Sequence, residues 1–331
     1  MNFLKKISTF LAKNTTTLIV LIAIIAFFFP YLFAWVRGNI QIVVLAVIMF
    51  SMGVTITTAD FRLLAKRPFD ICIGAVAQFT IMPFVAYFIA ELFNLPTDIA
   101  LGIILVGCCP GGMSSNIMTF LCRGDVPYSV GMSTVSTLLA PLMTPFLVLM
   151  LAGQRVAIPT MGMFITIMEA VLVPVLLGFF LNYKFSKSDT FEQLQGIMPG
   201  IAVIGFALII GGVVSVQGAR FFTSSLVIFV VVAAHNAIGF VLGYAVGKGF
   251  KFSLAKKRTL SIEVGMQNAG LGTSLAMAHF AAIPQAAVVT AVACVWQSIA
   301  GTALSTLFRK YDDRKMTKTI SVGKKQQVSV Q

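Results

Sequence analysis

"SIEVGMQNAG", residues 261–270, puts a glutamate, a glutamine and an asparagine within six residues of one another inside an apolar run. A charged side chain at the centre of a bilayer costs about 2.5–3.5 kcal/mol on translocon-insertion scales, so something must offset Glu263. Gln267 follows it by four residues and so shares its helical face. Gly265, Gly270 and Gly272 weaken a helix here, and Asn268 offers groups that pair with a freed backbone. Broken backbone is tolerated at membrane depth only where it lines a cavity. The stretch reads as a membrane span interrupted around a site.

The rest of the chain fits a membrane setting. Of its 331 residues 58% are hydrophobic and 11% charged, against about 25% charged in a soluble domain. Apolar segments fall at 15–35, 38–58, 70–93, 97–122, 127–152, 158–182, 197–217, 222–247, 256–281 and 284–308, each near the roughly 20 residues a helix needs to cross. Their continuous apolar character excludes a transmembrane β-barrel, whose strands alternate. The net charge of +13 lies in loops and tails and does not point to nucleic acid. With these spans, 21 of the 24 Lys and Arg fall on one side, the five from Lys248 to Arg258 among them in the loop between helices 8 and 9, and only Arg37, Arg155 and Arg220 on the other. The positive-inside rule then places both termini in the cytoplasm and demands an even number of spans. Residues 1–14 read as a cytoplasmic segment leading into an uncleaved first helix. Residues 309–331 read as a basic cytoplasmic tail, disordered by composition.

A faint repeat divides the chain. Val106-Gly107 recurs as Val264-Gly265, Gly53 as Gly212 and Pro127 as Pro284, at nearly constant offset. This gives two halves of five helices, 15–152 and 153–308. Five is odd, so the second half is inverted, the arrangement characteristic of secondary transporters. The predicted fold is an all-α polytopic membrane protein of ten transmembrane helices in two inverted five-helix repeats, with helices 4 and 9 broken and crossing.

The counterpart of the opening stretch is "GCCPGGMSSNIMTF", residues 107–120. Pro110 removes a backbone donor and Gly111-Gly112 favour unwinding; Ser114, Ser115 and Asn116 come after the break. Helix 5 adds a hydroxyl stripe at four-residue spacing, Ser129, Ser133 and Thr137, and helix 3 a lone amide, Gln78. Nine of the eleven acidic residues sit in loops, tails or span ends; only Glu169 and Glu263 lie deep, with no deep Lys or Arg to pair them. Glu169 reads as a packed, protonated side chain. One carboxylate among amide, hydroxyl and carbonyl oxygens suits a hard monovalent cation, whereas softer metals want sulfur or imidazole. Half-helix N-termini at the two breaks favour an anion. Cysteines 72, 108, 109, 122 and 294 lack framework spacing and read as reduced core residues; the vicinal Cys108–Cys109 pair leaves a soft-metal role open.

"PGGMSSN" followed by "GD", together with "EVGMQNAGLG" in the penultimate helix, resembles the bile acid:sodium symporter family over essentially residues 10–308. The resemblance implies a bacterial inner-membrane symporter with a core and a panel domain. It would import an organic anion, such as a bile-acid-like sterol, pantoate or a small oxo acid, with Na+ as the coupling ion. It also implies a first sodium site of Ser115, Asn116, Ser129, Ser133 and Glu263. A second would use Gln78, Glu263, Gln267 and the carbonyls of Val264 and Met266. The substrate would meet Met113, Ser114, Asn268 and Gly270; Met113 departs from the small or hydroxylated residue common in relatives. The partners expected are the substrate anion and the lipid bilayer, with no nucleic acid and no obligate protein partner. A proton-coupled carrier or a metalloid effluxer of the same architecture is the alternative. An enzyme is not expected: no histidine accompanies Ser114 in a partner motif, and an intramembrane protease would leave Glu263 and Gln267 idle.

Overall fold

Apolar runs of Leu, Ile, Val, Ala and Phe have no water to pair with in a bilayer, so each closes its backbone hydrogen bonds within a helix. A computed structural model describes residues 2–59, 62, 67–112, 114–218 and 225–328; Met113 and Arg220 lie outside the described residues. The helices are α1 (Asn2–Lys13), α2 (Thr15–Phe28), α3 (Asn39–Thr55), α4 (Pro68–Leu92), α5 (Thr97–Cys108), α6 (Ser114–Leu121) and α7 (Val126–Ala152). They continue as α8 (Thr160–Phe185), α9 (Asp189–Gln195), α10 (Met198–Gln217), α11 (Ser225–Gly249), α12 (Leu254–Gly265), α13 (Ala269–His279) and α14 (Pro284–Val328).

Among the described residues, six stretches are long and apolar enough to cross a membrane unaided: Pro68–Leu92, Val126–Ala152, Thr160–Phe185, Asp189–Gln217, Leu226–Gly249 and Pro284–Asp312. The other four expected spans are shorter or interrupted. α2 and α3 have 14 and 17 residues, and the segments 97–121 and 254–279 are each split into two half-helices. The protein is an all-helical polytopic membrane protein.

α3 packs against α8 and α10, and α2 against α10. A second group forms around α4, which touches α5, α7 and α11, while α11 lies along α12 and α14 along α5 and α13. Lipid tails are as apolar as leucine, so these contacts are held by van der Waals fit and not by exclusion of water.

Three expectations change. Glu169 does not pack inside a span. It sits in a π-helical turn of α8, Met168–Leu172, on the exposed face shared with Met161, Ile165 and Val173, while Ala170 and Val171 turn inward. The basic tail does not begin as coil, because α14 continues without a break to Val328; the residues beyond Arg309 contain no proline to stop it. Arg258 is not a loop residue. α12 starts at Leu254, capped by Ser253, and carries Arg258 into the interior at 2% exposure.

Candidate functional site

The two interrupted segments meet at their breaks. After Cys108 the chain is extended through Pro110 to Gly112, and after Gly265 it is extended through Met266 to Asn268. They pair as a short antiparallel bridge between Gly111 and Gln267: Gly112 N donates to Met266 O at 2.9 Å, and Asn268 N to Pro110 O at 2.8 Å. Contact is so close that a Cβ on Gly112 would stand 2.7 Å from Gln267 O, which only glycine avoids. Breaking a helix at this depth orphans backbone groups, and side chains collect them. Thr144 Oγ1 donates to Cys108 O at 2.8 Å, Gln78 Nε2 to Cys109 O at 3.3 Å and Asn236 Nδ2 to Gly265 O at 2.6 Å. Gly111 N donates to Ser136 Oγ at 3.3 Å.

Glu263, one turn before the second break, is 1% exposed. Its Oε1 accepts from Ser115 Oγ at 2.6 Å and from Ser129 Oγ, and its Oε2 from Ser133 Oγ at 2.9 Å. Ser129 also lies 2.7 Å from Asn116 Oδ1 and 3.2 Å from Thr119 Oγ1, and Ser115 lies 2.6 Å from Gly112 O. Ser115 and Ser129 each have one proton and two or more acceptors within reach. The cluster is therefore rich in oxygen and poor in protons, and no basic side chain among the described residues pairs with the carboxylate. Such a donor set is completed by a hard cation. The five side chains that the resemblance groups, Ser115, Asn116, Ser129, Ser133 and Glu263, stand together. Thr137, one turn further along the α7 stripe, is buried but makes no hydrogen bond to Glu263.

The second group is adjacent. Gln78 Nε2 donates to Gln267 Oε1, and Gln267 Nε2 to Val264 O at 2.7 Å. Met266 O already accepts from Gly112 N. Each carbonyl keeps a second lone pair. No hydrogen bond joins Glu263 to Gln78 or Gln267 among the described residues, so the carboxylate faces the serines and not the amides.

On the other side of the crossing, Ser114, Asn268 and Gly270 line a narrow cavity of about 30 Å³ together with Gly112, Gln267 and Gln297. A Cβ on Gly270 would come within 2.5 Å of the Phe206 ring. Asn268 caps α13, its Oδ1 accepting from Leu271 N at 3.0 Å. Through Thr15, Ser114 and Ser298 this recess adjoins a larger cavity of about 440 Å³, whose wall carries Ser8, Thr9, Thr16 and Thr302. Met113 lies outside the described residues.

The sequence model for the sodium bile acid symporter family matches residues 42–224, more than half of the chain. An uncharacterized sodium-dependent transporter of Bacillus subtilis, YocS, is 41% identical over 95% of this chain and 97% of its own length. The chain belongs to the sodium bile acid symporter family. Two chloroplast proteins named as probable sodium/metabolite cotransporters are also similar. BASS1 of Arabidopsis thaliana is 39% identical over 85% of this chain and 69% of its own, and BASS2 of Oryza sativa is 35% identical over 93% and 73%. A sodium-dependent transporter family, and not an enzyme family, is where the crossing and its oxygen cluster belong. The family match ends before Glu263, but the Bacillus alignment takes in nearly the whole chain, so the second half is not an addition of another kind.

Several residues at this crossing escape sequence reasoning. Gln297 in α14 is the main one: its Nε2 donates to Gln267 O at 2.6 Å and its Oε1 accepts from Gln267 N at 2.9 Å, closing both backbone groups of the bridge residue. It is visible as a lone amide in the apolar run "ACVWQSIA", the same signal that Gln78 gives. Thr119 follows Ser115 by one helical turn, and Asn236 interrupts an apolar stretch of α11. Arg258, which hydropathy alone assigns to a loop, forms a paired contact to Asp312 at 2.7 and 2.6 Å and donates to Cys122 O at 3.1 Å. It ties the half-helix carrying Glu263 to α14 and to the end of α6.

Proposed function

We propose that the protein is a sodium-coupled symporter that imports a small organic anion by alternating access. The observation that carries the reading is the proton-poor oxygen cluster around Glu263, a buried carboxylate with hydroxyl neighbours and no basic partner among the described residues. Sodium would sit among Ser115, Asn116, Ser129, Ser133 and Glu263, with Thr119 at its edge. A second ion would use Gln78, Gln267 and the carbonyls of Val264 and Met266, with Glu263 sharing its charge. The names of the relatives, sodium-dependent transporter and sodium/metabolite cotransporter, favour sodium over a proton.

The anion is assigned to the recess at Ser114, Asn268 and Gly270. No Lys or Arg among the described residues lines it, so backbone amides, side-chain donors and the nearby cations must hold the negative group. The adjoining cavity sets hydroxyls in a mainly apolar wall, which suits an anion that also carries an apolar body.

In this reading the halves 15–152 and 153–308 are inverted repeats. Counting α2, α3 and the two broken pairs as spans gives ten, with both termini in the cytoplasm of a bacterial cell and residues 309–331 a cytoplasmic tail. The antiparallel meeting of the two breaks supports it.

The test is uptake by proteoliposomes of bile-acid-like sterols, pantoate-like hydroxy acids and small oxo acids under a sodium gradient. Sodium-driven uptake of an anion is expected, with potassium inactive as a substitute. Two sodium ions per monovalent anion move one net charge, so an inside-negative potential should accelerate uptake, by up to about 2.3 kcal/mol per 100 mV for a full charge. Uptake driven equally by a proton gradient without sodium would contradict the reading.

A further inference from the structure

α1 takes no part in the oxygen cluster, yet Ser8, Thr9 and Ala12 form part of the wall of the large cavity. Phe3, Leu4, Ile7, Phe10 and Leu11 recur at the spacing that places them on one face of a helix. Phe3 is 73% exposed and Phe10 66%, and Leu4 and Ile7 are exposed too. The inward side is fixed: Ser8 is buried and its Oγ accepts from Gly200 N of α10 at 2.9 Å, and the Lys5 side chain lies against Gly196. Neither Lys5 nor Lys6 has an ion-pair partner among the described residues, and the first acidic residue of the whole chain is Asp60.

α1 also meets α2 at a bend of 80°. α2 has 14 residues, which is about 21 Å of helix, less than the roughly 30 Å hydrocarbon core of a bilayer. With α2 running across the membrane, α1 runs along its surface, one residue of linker away from the hydrocarbon. Such a helix is bordered by the headgroup region.

We propose that α1 is a bilayer-interface helix: its Phe3, Leu4, Ile7 and Phe10 face inserts at the acyl boundary, and the exposed Lys6 beside that face reads anionic phosphate headgroups. Charge complementarity selects the occupant, since α1 is purely cationic and a second copy of it would repel. Amphipathic helices with lysines beside an apolar face bind membranes through these two contributions. Because Ser8, Thr9 and Ala12 wall the cavity, docking also fixes one side of its mouth. That consequence rests on the transport reading; the docking itself does not.

The test is hydrogen exchange of the full-length protein in vesicles of phosphatidylcholine alone and of phosphatidylcholine mixed with phosphatidylglycerol. The amides of α1 are expected to be better protected in the anionic vesicles. Lys6→Gln should lower that protection by about fivefold, and Phe3→Asp with Phe10→Asp should abolish it, while α4–α7 stay as protected as in the parent. Equal protection of α1 in both vesicle types overturns the proposal. Protection that tracks the protein-to-lipid ratio instead of headgroup charge would assign the face to a second copy and overturn it as well. No readout depends on uptake, so a failed transport reading would not be mistaken for a failed docking.

Discussion

The two broken segments do the same geometric job with different chemistry. The break between α5 and α6 is made by Pro110, Gly111 and Gly112, and the polar side chains after it are neutral: Ser114, Ser115, Asn116 and Thr119. The break between α12 and α13 has no proline. It carries the charge, Glu263, and the amides Gln267 and Asn268, and it is held from outside by Asn236 of α11 and Gln297 of α14. The first break is held from outside as well, by Thr144 at Cys108 O, Gln78 at Cys109 O and Ser136 at Gly111 N; the difference lies at the bridge residues, since Gln267 has both backbone groups bonded to the single side chain of Gln297. One segment thus supplies oxygen without charge, and the other supplies charge and has its bridge residue clamped by one amide. A site needing both halves forms only when the two breaks meet.

The largest way to break this comparison is to remove the charge. Glu263→Ala should abolish sodium-driven uptake, with more than about a hundredfold loss, because no other carboxylate among the described residues reaches the crossing. Retained uptake would show that the neutral segment suffices.

Next comes the frame. Gln297→Leu leaves the Gln267 N–H buried without its partner and its C=O with the contact from Ala269 N alone, at about 1–3 kcal/mol for the orphaned N–H, and should lower thermal stability and sodium affinity together. The corresponding change in the first segment, Ser136→Ala, removes the 3.3 Å bond from Gly111 N and a 3.1 Å bond to Ser133 O within α7, and should cost about 1 kcal/mol. Equal losses would erase the distinction between the two bridge residues.

Among the neutral donors, Ser129→Ala should weaken sodium binding about tenfold, since a hydrogen bond to a charged group contributes about 1.5–3 kcal/mol. Thr137→Ala, on the same stripe but not bonded to Glu263, should leave sodium binding unchanged. Titration of both variants by melting shift tells them apart.

The smallest effect is expected at Asn268→Ala. It removes the N-cap of α13, about 1 kcal/mol of helix stability, and should weaken substrate affinity in uptake while leaving sodium binding nearly intact. Equal loss of both would move Asn268 to the cation side of the crossing.

Much of this site is legible in the sequence. The breaks announce themselves through glycine, proline and polar residues in an apolar context, because a bilayer penalises such residues unless they line a cavity. Ser115, Ser129, Ser133 and Glu263 emerge from helical spacing and from the resemblance. Gln297 and Asn236 are harder to assign, because a single amide in a span has no spacing to tie it to a partner on another helix. Arg258 is misplaced because a loop boundary drawn from hydropathy runs through the last basic residue, whereas Ser253 starts the helix five residues earlier. Glu169 is misread for a related reason: period and hydropathy mark depth in the membrane but not which face of α8 turns outward.

The most direct test of the central claim is a sodium titration of the purified protein by thermal unfolding, with potassium as control and Glu263→Gln alongside. A ligand that binds only the folded state stabilises it by about 2.7 kcal/mol at a hundredfold excess over its Kd. The parent protein should therefore melt higher as sodium rises and not as potassium rises, and Glu263→Gln should show no sodium response. A sodium-specific shift that survives in Glu263→Gln would contradict the assignment of the cation to the oxygen cluster at the crossing.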